Sequence, residues 1–274
     1  MPVSKSVINF NSFNIAFNEA VNFIQPSQSA SVLNRVTGGN ASEIAGILSA
    51  NGTLFFVNQS GVRFSPSAQV NVNSFIASTL DISTNNFVTG NYILAHTLDG
   101  VYSQILNQGR ITGNNIALVA SGVHNSGVIV ARAGMAQLAS GDKVTVSFDQ
   151  KGLIQLEINE QTSGKVVDMQ GNTVKDAVAN SGTIEAKEVV MNAQTASSIF
   201  ENAVNQTGIV KATAIIQEGG VIKIRSNRNV QVSGTLEAPV GGVTVSSAES
   251  IRVKADLNTV GNTNLLACND IEVR

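Results

Sequence analysis

The chain has 274 residues, of which 13% are charged, 43% hydrophobic and 5% aromatic, with no Trp, one Cys and a formal net charge of −2. The hydrophobic share supports a packed core and excludes wholesale disorder. The charge balance leaves no basic footprint for nucleic acid, and a lone Cys excludes both a disulfide framework and a Cys-rich metal centre.

Asn occurs 30 times and Ser plus Thr 46 times, while Lys and Arg together number 17. A helical protein needs charged outer faces, which this composition does not supply. Short β-branched strands broken by Asn, Gly and Ser follow instead, and the core falls to Val, Ile, Leu and Ala. No apolar run reaches the roughly 18 residues of a membrane-spanning helix. The start, Met1-Pro2-Val3-Ser4-Lys5, lacks the basic and apolar regions of a signal peptide.

In chain order, the first departure from a strand pattern is Asn34 to Gly46, where Ala41–Leu48 fits either a helical turn or a loop. Asn107-Gln108-Gly109-Arg110-Ile111 then returns 18 residues on as Asn125-Ser126-Gly127-Val128-Ile129. Ala120-Ser121-Gly122 returns as Ala139-Ser140-Gly141. Gln150 to Ala179 carries turn signals at Asp149–Gly152, Asn159–Gly164 and Asp168–Asn172, separated by alternating segments such as Leu153–Ile158, and reads as antiparallel hairpins projecting from the body. The Asn-x-Gly unit returns as Asn180-Ser181-Gly182, as Asn205-Gln206-Thr207-Gly208 with one residue inserted, and as a degenerate Ser233-Gly234. Ile222-x-Ile224, Val230-x-Val232 and Leu236 are repeated 21 residues later by Val243-x-Val245, Ile251-x-Val253 and Leu257, and in part by Leu265 and Ile271-x-Val273.

A period near 20 with several short strands per repeat defines a solenoid, and Val and Ile in place of spaced Leu favour a parallel β-helix over leucine-rich repeats. Roughly a dozen coils at ~4.8 Å give a rod on the order of 55 Å. The glycine of each unit suits a left-handed or tight turn between faces. The Asn beside it either stacks into an amide ladder or serves only as an Asn-Gly turn. No low-complexity linker divides residues 1–274, which read as one domain.

His96 and His124 are the only histidines and read as surface or turn residues, so no multi-His metal site is expected. Cys268, among Leu265, Leu266 and Ala267, reads as a small buried hydrophobe with no base beside it. Asp142, Asp149, Glu157 and Glu160 cluster in sequence, and some β-helix enzymes cut carbohydrate with grouped carboxylates. A carbohydrate-active enzyme is therefore the alternative to a non-catalytic protein, and it requires these four to converge. A structural stalk is a third reading. The sequons at Asn40, Asn51, Asn58 and Asn205 match the number expected by chance for this composition.

Six strings in the N-terminal third carry a resemblance. Ile8-Asn9-Phe10-Asn11-Ser12-Phe13-Asn14-Ile15, Val21–Pro26, Leu33-Asn34-Arg35-Val36-Thr37-Gly38, Ser42–Gly52, Phe55–Phe64 and Ala77-Ser78-Thr79-Leu80-Asp81-Ile82 resemble, in order, the motifs of two-partner secretion (TPS) domains. These are the haemagglutination-activity domains of filamentous-haemagglutinin-like and HMW-like Gram-negative adhesins. The Asn-x-Gly repeats extend the resemblance over about residues 7–240, with further coils to 274.

The resemblance implies a right-handed parallel β-helix and a non-catalytic secretion and adhesin module without a cofactor. It implies passage through the periplasm to the cell surface or medium. The implied partner is an outer-membrane TpsB-type transporter acting through its POTRA domains, with β-helix folding nucleated on this domain. Host-cell glycans or receptors would be met by the full-length protein, and a monomer is expected. Asn58-Gln59-Ser60-Gly61 corresponds to the recognition and folding turn, with Asn34 and Arg35 as its neighbours. Gln59 and Ser60 stand where the family pattern has Pro and Asn, which removes a fixed φ and an amide. The chain begins inside the family pattern and ends mid-repeat at Ile271–Arg274, so a longer parent protein is expected.

Overall fold

A computed structural model describes residues 4–150, 152–213 and 220–274. The chain winds as a parallel β-helix with three faces. One coil lays residues 47–50 on the first face, 53–58 on the second and Val62–Phe64 on the third. Long strands such as Ile47–Asn58 and Val128–Ser140 turn the corner between the first two faces without a break. Register shifts between Ala50 and Thr53 and between Ala131 and Met135 mark the bend. The region expected as a helical turn or loop is instead strand Ser42–Ile44 and the start of Ile47–Asn58. Its apolar residues alternate, and alternation places Ile44 and Leu48 inside.

The interior is built of stacked rows. Leu48, Val70, Ile111, Ile129, Ile184, Val210 and Leu236 are in-register neighbours through seven successive rungs of the first face, each about 4.8 Å above the last. The second face carries ten rungs, from Lys5–Phe10 to Thr263–Ala267. That is a rod of about 43 Å, shorter than a dozen coils would give. Aromatic packing is concentrated at the N-terminal end. Phe13 meets Phe10, Phe23 and Phe56, and Phe64 meets Phe75. The five fully buried phenylalanines all lie between Phe55 and Phe87, while fully buried Ile and Leu continue along the rod to Ile251.

At one corner of the third face the repeat asparagines form a continuous ladder. Asn107 Nδ2 donates to Asn125 Oδ1, Asn125 Nδ2 to Asn180 Oδ1 and Asn180 Nδ2 to Gln206 Oε1, each at 2.7 Å. Gln206 Nε2 closes the chain on Gly208 O at 2.9 Å. All four amides are buried, and every link is satisfied, as a buried polar row requires. The aligned unit is thus Gln206-Thr207-Gly208: Gln replaces Asn, and no residue is inserted. Phe64 bounds the ladder below and Val232 above, as the in-register neighbours of Asn107 and Gln206.

The glycines of these units do not adopt left-handed φ. They are required by stacking. A Cβ on Gly127 would lie 2.2 Å from Gly109 O, on Gly182 2.1 Å from Gly127 O, and on Gly208 2.1 Å from Gly182 O. Backbone sits directly on backbone at this corner, and only hydrogen fits.

Two coils carry insertions between the second and third faces, at residues 79–101 and 141–175. Three strands from them, Tyr92–Ala95, Lys143–Phe148 and Ile154–Glu160, make an antiparallel sheet. The hairpin expected around Asp149–Gly152 is present, but it lies along the rod's outer surface. With helix Thr84–Thr89 it buries a second core of Leu33, Phe55, Ile76 and Ala117 against Phe87, Leu94, Val144 and Ile154. Ser83 caps this helix by accepting from Asn86 N, and Gly90 ends it at φ 84°. Lys5 Nζ donates to the last carbonyls, of Phe87 and Val88. Asp168–Asn172 closes a second, smaller hairpin, with Val167 bridged to Thr173. At Asn159–Gly164 the chain instead rejoins the rod, where Thr162 bridges Thr195 in parallel.

Cys268 is exposed, contrary to its expected burial. It lies on the last rungs, where no further coil among the described residues covers it. No described helix is long and apolar enough to cross a membrane.

Candidate functional site

Asn58 ends a second-face strand and organises the turn that follows. Its Oδ1 accepts from Ser60 N at 2.9 Å, and its carbonyl accepts from Gly61 N at 3.1 Å. Its Nδ2 donates back to the previous coil, to Asn40 O at 3.0 Å and Ser42 Oγ at 2.9 Å. Gly61 has φ 114°, a conformation open to glycine and few others. Gln59 Oε1 accepts from the backbone N and Oγ1 of Thr97, which ties the turn to the first insertion. Gln59 and Ser60 are half-buried, and Asn58 and Gly61 are buried.

Asn34 and Arg35 lie on the adjacent rung, where Val36 is the in-register neighbour of Asn58. Alternation sends them to opposite sides. Asn34 points into the rod between Val32 and Val36, stacked between Ile8 and Phe56. It is 0% exposed, and among the described residues neither Oδ1 nor Nδ2 has a hydrogen-bond partner. Arg35 points outward and is engaged on every nitrogen. Nε pairs with Asp81 Oδ1 at 2.9 Å, Nη1 donates to Asn9 Oδ1 and Thr84 Oγ1, and Nη2 donates to Ile82 O. The guanidinium thereby pins the first insertion to the rod.

Other motif residues prove to be mutual partners. Gln25 Nε2 donates to Ala30 O and Thr53 O, and its Oε1 accepts from Gly52 N. Asn51 exchanges two hydrogen bonds with the Gln25 backbone. A Cβ on Gly52 would lie 2.6 Å from Gln25 Nε2. The sequence displayed Gln25, Asn51 and Asp81 as motif letters. Their pairing, across tens of residues, follows only from the coil.

None of the four clustered carboxylates lines any of five grooves on the described surface, so they do not meet in one of those clefts. Asp142 is buried and accepts from Ser163 N and Oγ. Asp149 caps the hairpin turn by accepting from Leu153 N, Glu157 stands opposite Thr145, and Glu160 pairs with Lys143. Among the described residues no three His, Cys, Asp or Glu stand together as a metal centre. His124 lies on the outer third face, 3.0 Å from Ser181 Oγ. Burial pushes its pKa down, against a smaller upward pull from Asp176. His96 stacks on Tyr102 at 4.2 Å.

A three-faced coil with these motifs defines a secretion-domain β-helix. A family profile described as the TPS secretion domain matches residues 3–238, and the chain belongs to that family. Domains of this family are non-catalytic secretion modules, recognised by TpsB outer-membrane transporters, and their exoproteins pass through the outer membrane to the cell surface. Two heme/hemopexin-binding proteins of Haemophilus influenzae are similar to the chain, at 31% identity over 80% of it and 28% over 92%. Those alignments cover 24% and 28% of the relatives, so the chain spans about a quarter of their length. The crystal structure of the HMW1 secretion domain from Haemophilus influenzae is also similar, with TM-score 0.77 and 28% identity over 94% of this chain and 68% of that one.

Proposed function

We propose that the POTRA domains of a TpsB-type transporter read Asn58-Gln59-Ser60-Gly61, together with Asn34 and Arg35, before the first coils close. Asn34 carries this reading. The Asn34 amide is 0% exposed and has no hydrogen-bond partner among the described residues, and a group buried in this way costs about 1–3 kcal/mol. In the extended chain the same amide is free to pair. Asn58 is likewise fully buried after folding, so a partner that reads these side chains meets them beforehand.

Folding then starts on the N-terminal coils, which supply the template for the rest. The concentration of buried aromatic side chains, Phe55, Phe56, Phe64, Phe75 and Phe87, supports this order, since each contributes about 1.5–3 kcal/mol on burial and a solenoid grows from an existing end. Coils after residue 240 continue the same ladders, which supports reading residues 1–274 as one domain. Host glycans or receptors are assigned to the full-length protein.

The test is capture by immobilised POTRA domains of the transporter encoded at the same locus, using chain freshly diluted from urea so that folded stability has no influence. An Asn34→Ala, Asn58→Ala variant is expected to lose about tenfold in affinity, as two side-chain hydrogen bonds would give. Capture equal to the unaltered chain rejects the assignment.

A further inference from the structure

The three-stranded insertion sheet covers one outward row of the second face, Leu33, Phe55, Ile76 and Ala117. The next outward row lies at the margin of that sheet, beneath a groove rather than beneath the sheet itself. That row is Ser31, Thr53, Ser74 and Asn115, in-register neighbours on four successive rungs, and it forms the floor of a groove of about 510 Å³. Tyr92 and Phe148, packed edge to face at 5.7 Å, form the wall on the insertion side. The volume falls within the ~300–1,000 Å³ of small-molecule sites.

Ser31, Thr53 and Ser74 are 8%, 8% and 6% exposed, yet among the described residues none of their side-chain hydroxyls has a hydrogen-bond partner; nor has the Tyr92 phenol. These hydroxyls open onto the groove, where they are free to pair with water or a ligand. Asn115 is anchored to Gly152 O and points into the same groove. None of the described lining residues is charged.

We infer that this groove binds a neutral saccharide along the rod axis. Hydroxyls both donate and accept, so a row of them at a regular spacing of about 4.8 Å matches the hydroxyl edge of successive sugar rings. Phe148 offers an apolar surface to the C–H face of a pyranose, while Tyr92, whose ring is stacked on Phe55 at 5.1 Å and topped by Lys5 Nζ at 5.0 Å, adds its phenol edge. The described lining residues carry no charge, and the nearby Lys5 ammonium is held by the carbonyls of Phe87 and Val88, which disfavours phosphate or carboxylate ligands. An extended peptide is disfavoured because the backbone beneath the row is already paired on both sides, which leaves no edge for strand addition. This inference is independent of transporter recognition.

The folded domain should be titrated by saturation-transfer NMR and calorimetry with lactose, maltose, cellobiose and diacetylchitobiose, with sialyllactose and a neutral Ser/Asn-rich peptide as comparators. At least one neutral sugar is expected to bind, with magnetisation transferred from Tyr92. Thr53→Val with Ser74→Ala is expected to weaken binding about tenfold or more, at an unchanged urea midpoint. Tyr92→Phe gives a smaller loss and serves as the readout if the double variant unfolds. Three results overturn the assignment: no binding by any neutral sugar, equal binding by the variants, or tighter binding of sialyllactose or the peptide.

Discussion

Asn34 and Arg35 are adjacent in the chain and face two different cores. The Asn34 amide is enclosed in the rod with no partner among the described residues, while the Arg35 guanidinium bridges the rod to Asp81, Ile82 and Thr84 of the first insertion. Arg35→Ala therefore acts on stability. With the Asp81 pair only partly buried, at 13% and 26% side-chain exposure, the expected loss is about 1–3 kcal/mol. Urea denaturation measures the loss, and limited proteolysis should show residues 79–101 opening first.

Asn34→Leu is expected to do the opposite. It removes an orphaned amide and places an apolar side chain beside Val32, Val36 and Phe56. The folded domain should gain about 1–3 kcal/mol, read as a higher urea midpoint at constant m-value. In cells the same variant should export less. A destabilised variant would mean that the folded rod uses the amide after all.

Asn125 sits mid-ladder, donating to Asn180 and accepting from Asn107. Asn125→Ala orphans both neighbours and is expected to cost about 2–5 kcal/mol. Asn114→Ala, which removes one exposed bond to Asn73, should stay within about 0.5 kcal/mol.

Glycine at the stacked corner gives a steric test. Gly182→Ala drives a methyl to 2.1 Å from Gly127 O, whereas a Cβ on Gly39 meets nothing within 4 Å. The first change is expected to cost about 3 kcal/mol or more and the second less than about 0.5 kcal/mol. Far-UV dichroism during urea titration separates them.

The β-helix was legible because Val and Ile return at a fixed period, and the amide ladder because Asn107, Asn125 and Asn180 share one frame. Sequence spacing shows recurrence but not what each residue rests on. That is why the corner glycines read as turn-formers when they are stacking residues, and why Asn205 rather than Gln206 read as the ladder position. Helix Thr84–Thr89 has no apolar period and exists through its Ser83 and Gly90 caps and the burial of Phe87. The strand Tyr92–Ala95 pairs with Lys143–Phe148 about fifty residues later, a distance at which local patterning carries no information. Cys268 sits in an apolar string, and its exposure depends on the chain's last rungs.

His124 provides the pH dependence. Its folded pKa lies below the reference value of 6.5 because burial disfavours the imidazolium, against the upward pull of Asp176. Below 6.5 the unfolded chain takes up a proton that the folded chain refuses. Stability is therefore lost as pH falls through about 6.5 and levels off below the folded pKa. In urea melts between about pH 7.5 and pH 5, His124→Gln should show a shallower decline than the unaltered chain.

Recognition before folding is tested most directly by comparing one chain in two states. The domain is passed over immobilised POTRA domains of the transporter encoded at the same locus, once fully folded and once within seconds of dilution from urea. Rapid capture of the diluted chain is expected, decaying as the coils form, with little capture of the folded rod. Equal or stronger capture of the folded rod would contradict the account.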